Sequence, residues 1–189
     1  MISNGTRLVT FVASLTQDST YPYLMDEFTY IFENAYENTS PSNFSCTPDR
    51  PSSVKGNTAT AVSSNRLFLQ NHFLYEQQAF GIQTPDTADL TGTNSVSNGT
   101  GALGSAISNC TSVYSRKPWT VLVDFFHVGP AISSVDRANG VSNSTTGRTS
   151  VGTTYLDSST TTSAAASGKG GAIMALVIGM IVMVMVMGL

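Results

Sequence analysis

Acid and base chemistry in this chain would have to come from few residues. It has two histidines, His72 and His127, against 12 acidic and 9 basic side chains. His72 falls late in one apolar run, Arg66 to Leu74 (RLFLQNHFL), and His127 just after another, Trp119 to Phe126 (WTVLVDFF). Two imidazoles at the ends of neighbouring strands could serve as a general base and a general acid. A hydrogen-bonded structural role is the more ordinary use of a polar residue there. Asp124 is the stronger candidate, because it interrupts VLVDFF and a carboxylate in an apolar strand needs a partner to be tolerated. Arg66 and Asn71 are candidates for binding a substrate at the same rim, with Asp26 beside them. Asp49 and Arg50 sit in a Pro-rich stretch and read as turn and local ion-pair residues.

The elements that must position these groups follow from periodicity. Arg7 to Ser14, Phe28 to Glu33, Arg66 to Leu74 and Trp119 to Phe126 are short runs rich in β-branched and aromatic residues, and they predict strands. The first and last are nearly continuous rather than alternating, as parallel strands covered on both faces are. Gly101 to Tyr114 predicts a helix. Pro130 to Asn139 predicts another, with Pro130 in its first turn and Gly140 just past its end. Asn34 to Asn65 and Gly81 to Gly99 are rich in Pro, Ser, Thr and Asn and read as long loops. The order is that of a β/α protein.

Composition points to the secretory pathway. Six N-x-Ser/Thr sequons occur, at Asn4, Asn38, Asn43, Asn98, Asn109 and Asn143, and Pro41 after Ser40 makes Asn38 a poor acceptor. The two cysteines, Cys46 and Cys110, either bridge a long loop in an oxidising compartment or remain as two buried thiols. Only 11% of residues are charged and the net charge is −3, which leaves no basic patch for nucleic acid. No Cys-x-x-Cys or histidine cluster suggests a metal, and no cofactor is evident.

The C-terminal segments predict a tether. Residues 142–163 contain 14 Ser or Thr among 22 and cannot recover their ordering entropy by packing, so they predict an O-glycosylated stalk. Ser163, Ala164 and Ala165 are small, a short spacer follows, and 18 apolar residues run from Ala172 to Leu189. That is the layout of a GPI attachment signal over 164–189 with Ser163 as the attachment residue, a retained transmembrane helix being the rival. Such a chain belongs on the extracellular side of the plasma membrane or in the cell wall. Met1 to Thr6 is not a signal peptide, so an N-terminally truncated copy is expected.

Several segments together carry a family resemblance: NGTRLVTFVAS at Asn4 to Ser14, DEFTYIFEN at Asp26 to Asn34, SPSNFSCTPDRPSS at Ser40 to Ser53, SSNRLFLQNHFL at Ser63 to Leu74, QAFGIQTPD at Gln78 to Asp86 and VDFFHVGPAISSVDRANGV at Val123 to Val141. They resemble the C-terminal half of the fungal PLC-like phosphodiesterases, TIM-barrel proteins of the phosphatidylinositol-specific phospholipase C X-domain type. The resemblance implies that residues 1–141 are half of a (β/α)8 barrel. It implies phosphoric diester hydrolysis of a phospholipid or glycolipid by two histidines, with a divalent metal in many members. Asp124 resembles the late-strand aspartate that orients one of them. The family's histidines lie on earlier strands, and neither His72 nor His127 matches them. A phosphodiesterase missing its catalytic pair is therefore expected, and a GPI-anchored surface glycoprotein without turnover is the alternative.

Overall fold

The computed structural model describes Gly5 and residues 8–142, all within the compact unit Met1–Tyr155. Asn4, Asn143, Ser163, the stalk beyond Ser142 and the apolar tail lie outside the described residues.

The central sheet has four strands: β3 (Ile31–Asn34), β4 (Pro48–Arg50), β5 (Leu67–His72) and β8 (Thr120–Val123). Their order is β4-β3-β5-β8. β3, β5 and β8 are parallel, with Phe32 opposite Phe68 and His72 opposite Val123. β4 runs antiparallel along the edge of β3. β1 (Thr10–Val12) and β2 (Leu24–Asp26) form a separate parallel pair, and β6 (Tyr75–Gln77) and β7 (Gln83–Pro85) a hairpin. The described residues thus make a mixed α/β fold of three sheets and no closed barrel.

Alternation gives the central sheet two chemically different faces. Phe32 and Phe68 stack at 5.1 Å on one face and meet Tyr114 from α4 (Leu103–Tyr114). Val54 and Ala61 complete this core, Ala61 coming from α2 (Thr58–Ser63), whose N-cap Asn57 accepts from the Thr60 N–H. Burying each large apolar side chain here contributes about 1.5–3 kcal/mol. A second cluster packs Leu103 and Ile107 of α4 and Ala131 of α5 (Ala131–Ala138) against Val121 and Val123 of β8. The Cys46–Cys110 disulfide ties the loop after β3 to α4, and the Tyr114 hydroxyl donates to the Cys46 carbonyl. The opposite face carries Ile31, Glu33, Leu69, Asn71 and Leu122.

The differences from expectation have local causes. The run Phe28 to Glu33 is divided, because α1 (Glu27–Tyr30) takes its first half as one helical turn and β3 begins at Ile31. The outer runs shrink to β1 and β8. Both long loops hold structure: β4 and α2 in the first, and β7 with α3 (Leu90–Thr93) in the second. α4 and α5 match their predictions within two residues. α4 ends where Ser115 turns left-handed at φ 53°.

Candidate active site

Parallel strands present their C-terminal ends together, and here those ends are polar. Glu33 on β3 and Asn71 on β5 lie on the face away from α4, and Asp124 directly follows β8. Glu33 is 3% exposed. Its Oε1 pairs with Nε of Arg50 at 2.5 Å, and its Oε2 accepts from Nδ2 of Asn71 at 2.7 Å. The same Asn71 amide donates to the Asn34 carbonyl at 2.9 Å, while Asn34 Oδ1 accepts from the Asn71 N–H at 2.7 Å. Two adjacent strand ends are thereby locked in register by side chains, and the buried carboxylate has an ion-pair contact at Oε1 and a hydrogen bond at Oε2.

Arg50 reaches this face from the edge strand β4. Its guanidinium lies 5.5 Å from the Phe28 ring centre and 4.4 Å from that of Tyr36, so two aromatic rings and Glu33 fix it. Burial, and then the field of Glu33, raise the carboxyl of Glu27 above its ordinary value, with Arg50 acting against them. The positive charge therefore stands among several carboxylates, with its planar donors oriented.

Asp124 is half-buried, and burial pushes its carboxyl up to about 6. Its Oδ2 is buried without a hydrogen-bond partner, and its backbone carbonyl accepts from Asn94 Nδ2 at 3.1 Å. Tyr75 is pushed up to about 12, by burial first and then by the charges of Asp124, Tyr36 and Glu37. An unpartnered, partly desolvated carboxylate at a strand end is suited to receiving a proton donor such as an imidazole N–H.

Asn71 and Asp124 thus stand at the rim, Asn71 holding Glu33. Arg66 does not. It precedes β5, so it stands at the opposite end of the parallel strands, roughly 20 Å from the rim. There its Nε donates to the Phe28 carbonyl at 2.7 Å and its own carbonyl accepts from Arg116. Asp26 is spent locally, accepting from the Leu15 N–H and the Thr29 hydroxyl. His72 points to the helix-covered face. His127 lies in the turn after β8, its ring 6.2 Å from that of Phe125 and 5.8 Å from that of Phe126. Asn43, Asn98 and Asn109 are exposed, whereas Asn38 is buried with its amide donating to the Ala35 carbonyl.

Glu33 and Arg50 are the residues that sequence reasoning missed. Glu33 ends the run FTYIFE where Asp124 interrupts VLVDFF, so the rule that singled out Asp124 passes over it. Arg50 corrects the expectation of a local pair, because Asp49 pairs instead with Lys55 at 2.8 Å and Arg50 crosses to β3. Among the described residues no group of three His, Cys, Asp or Glu gathers to hold a metal ion, and Glu33 is committed to Arg50 and Asn71. These residues alone do not fit a divalent ion.

The described residues thus form an α/β protein whose parallel strands share a polar C-terminal rim. The family model described as PI-PLC X 1 matches residues 1–139, and the chain belongs to that family. Among curated proteins it is similar to a PI-PLC X domain-containing protein 1 of Arthroderma benhamiae, 35% identical over 141 residues, covering 75% of this chain and 43% of that protein. It is also similar to an uncharacterized secreted protein of the same organism, 33% identical over 138 residues, covering 71% of this chain and 30% of the relative. The chain spans less than half the length of either. No solved structure matches. Among the described residues, no helix is long and apolar enough to cross a membrane.

Proposed function

We propose that this chain is part of a surface phosphodiesterase acting on a phospholipid or glycolipid headgroup, and that it supplies the late-strand side of a TIM-barrel site. The observation that carries this reading is the Glu33–Arg50–Asn71 network on the face turned away from the helices, with Asp124 just past the C-terminal end of the neighbouring parallel strand β8. In a barrel that face is the interior and that end is where the chemistry occurs. Ionised Asp124 accepts an imidazole N–H, fixes its tautomer and stabilises the imidazolium that forms when the ring takes a proton from the nucleophilic hydroxyl. Arg50 offers its donors to phosphoryl oxygens. Glu33 and Asn71 hold Arg50 in place and do not meet the substrate.

The catalytic imidazoles belong to segments outside residues 1–141, a view supported by the small share of each relative that the chain spans. His72 faces the other side of the sheet, and His127 has aromatic neighbours in a turn. One observation favours the alternative of a surface glycoprotein without turnover, namely that neither histidine of the chain is paired with Asp124, whose Oδ2 has no partner. The proposal includes a GPI anchor at Ser163 beyond a glycosylated stalk, supported by the small, spacer and apolar order of residues 163–189.

Phosphatidylinositol and a generic phosphodiester should be offered to this chain and to a version extended to the relatives' length, with and without divalent metal. Turnover by the extended version alone supports the proposal. Turnover by the chain alone that disappears in His127→Ala overturns it, and turnover by neither favours the non-catalytic alternative.

A further inference from the structure

The β6–β7 hairpin ends in apolar side chains that no described residue covers. Its strands pair Glu76 with Thr84 and Gln77 with Gln83, and the Gln78 N–H closes the turn on the Ile82 carbonyl at 2.7 Å. At the tip Phe80 is fully exposed and Ile82 is 59% exposed. Phe80 is also left-handed, at φ 61° and ψ 21°, beside a left-handed Gly81. A bulky side chain is uncommon there, because its Cβ crowds the backbone. Glycine or asparagine would close such a turn at less cost, so neither packing nor backbone geometry accounts for an aromatic ring at this position.

The hairpin is rooted at the end of the sheet that carries Asp124. β6 follows closely on the C-terminal end of β5. At its base the Tyr75 N–H donates to the Asn38 carbonyl at 2.8 Å and the Asp86 N–H to the Leu74 carbonyl at 2.9 Å, which fixes the arm to the body of the protein. Tyr75 is close enough to Asp124 to feel its charge. A further exposed aromatic ring, Phe126, lies in the turn just past Asp124.

Charge and size narrow what the tip can meet. Residues 77–85 carry no charge, and no Lys or Arg occurs between Arg66 and Arg116. Glu76, Asp86 and Asp89 flank the tip, so an anionic surface is repelled. Two side chains on a narrow turn fall far short of the roughly 800 Å² that each partner buries in a stable protein interface. A bilayer surface asks for no matching shape, and it takes apolar side chains to a depth of about 5–10 Å.

We propose that the β6–β7 tip inserts Phe80 and Ile82 into the surface of a zwitterionic phospholipid bilayer and holds the Asp124 rim beside it. The choice of a lipid partner rests on the phosphodiesterase reading, in which the substrate headgroup lies in such a surface. Apolar burial drives the insertion, so salt has little effect on it.

The test uses the full chain with Phe80→Trp and Trp119→Phe, which leaves a single indole, mixed with phosphatidylcholine vesicles that carry brominated acyl chains. Whatever else holds the chain to the vesicle, only the surroundings of the tip are read. The indole at position 80 should shift to the blue and lose most of its emission to bromine, equally at low and high salt. An indole placed instead by Thr84→Trp, nearer the base of the arm, should stay unquenched. Adding Ile82→Asp should move the tip's equilibrium about tenfold or more toward water. In the unsubstituted chain, broadening of the Ile82 methyl resonance by nitroxide-labelled lipid gives the same reading without any variant. An unshifted, unquenched indole at position 80 overturns the proposal. So does a blue shift that appears without vesicles, which would place the tip against a second copy of the chain. Insertion is read without turnover, so an extended version that hydrolyses substrate while its tip stays unquenched overturns this inference alone and leaves the phosphodiesterase reading standing.

Discussion

Asp124→Asn separates a functional role for this carboxylate from a structural one. Its raised value means that the native state holds a proton which the unfolded chain, titrating near 3.8, has already lost. The contribution of Asp124 to stability is therefore greatest below about 4, falls as pH rises through the window from 3.8 to about 6, and stays reduced above it. A fully withdrawn carboxyl with that displacement would cost about 3 kcal/mol at neutral pH, but Asp124 is only half-buried, and solvent screening reduces this to about 1 kcal/mol. Asparagine carries no charge to desolvate. The variant should be more stable than the parent by about 1 kcal/mol at pH 8 and equal to it near pH 4. Urea unfolding of the disulfide-intact protein at both values, followed by tyrosine and tryptophan fluorescence, measures the difference as a shift in midpoint of roughly 0.5 M. If Asp124→Asn is instead destabilised at pH 8, the carboxylate is holding the fold together through a partner, and its proposed availability to an imidazole is refuted.

Removing Arg50 should have the opposite sign. Arg50→Ala leaves Glu33 buried with Asn71 as its remaining donor and should cost about 2–3 kcal/mol in urea unfolding, whereas the double variant E33Q/R50A should regain at least half of that; equal losses in both would mean that the pair is not coupled. Cys46 and Cys110 are 64 residues apart, so the C46S/C110S protein should lose about 4 kcal/mol on the chain-entropy account, read as a lowered Tm, and an unchanged Tm would contradict a bridge in the folded protein. Expressed behind a signal peptide, the chain should be released from membranes by a GPI-cleaving phospholipase; retention, with the Met-rich tail found by mass spectrometry, would mean a transmembrane helix instead.

Much of this could be read in the chain where local signals coincide. α4 and α5 have their start or stop residues beside a helical apolar pattern, and β5 and β8 are apolar runs long enough to declare themselves. β4 could not be seen. Its residues Pro48, Asp49 and Arg50 have no strand pattern, and they form a strand only because β3 offers an open edge. The hairpin of β6 and β7 was hidden in a polar stretch for the same reason, since antiparallel partners there supply the pairing that propensity does not. At the site, Asp124 was legible as a charge inside an apolar run. The Glu33–Arg50–Asn71 network was not, because it joins three strands and its energy depends on a burial that no local window reports. Arg66 was misplaced because position in a strand run does not tell which end faces the site. The strand's polarity relative to its neighbours does.

Asp124 is proposed to serve chemistry performed by histidines from outside residues 1–141, and the most direct measurement of that role is the kcat of the Asp124→Asn variant in a version extended to the relatives' length. If Asp124 holds a catalytic imidazole, kcat on a phosphodiester substrate should fall about 10²- to 10⁴-fold with KM little changed and the fold intact. A kcat within twofold of the parent, in protein that turns substrate over, would contradict the account.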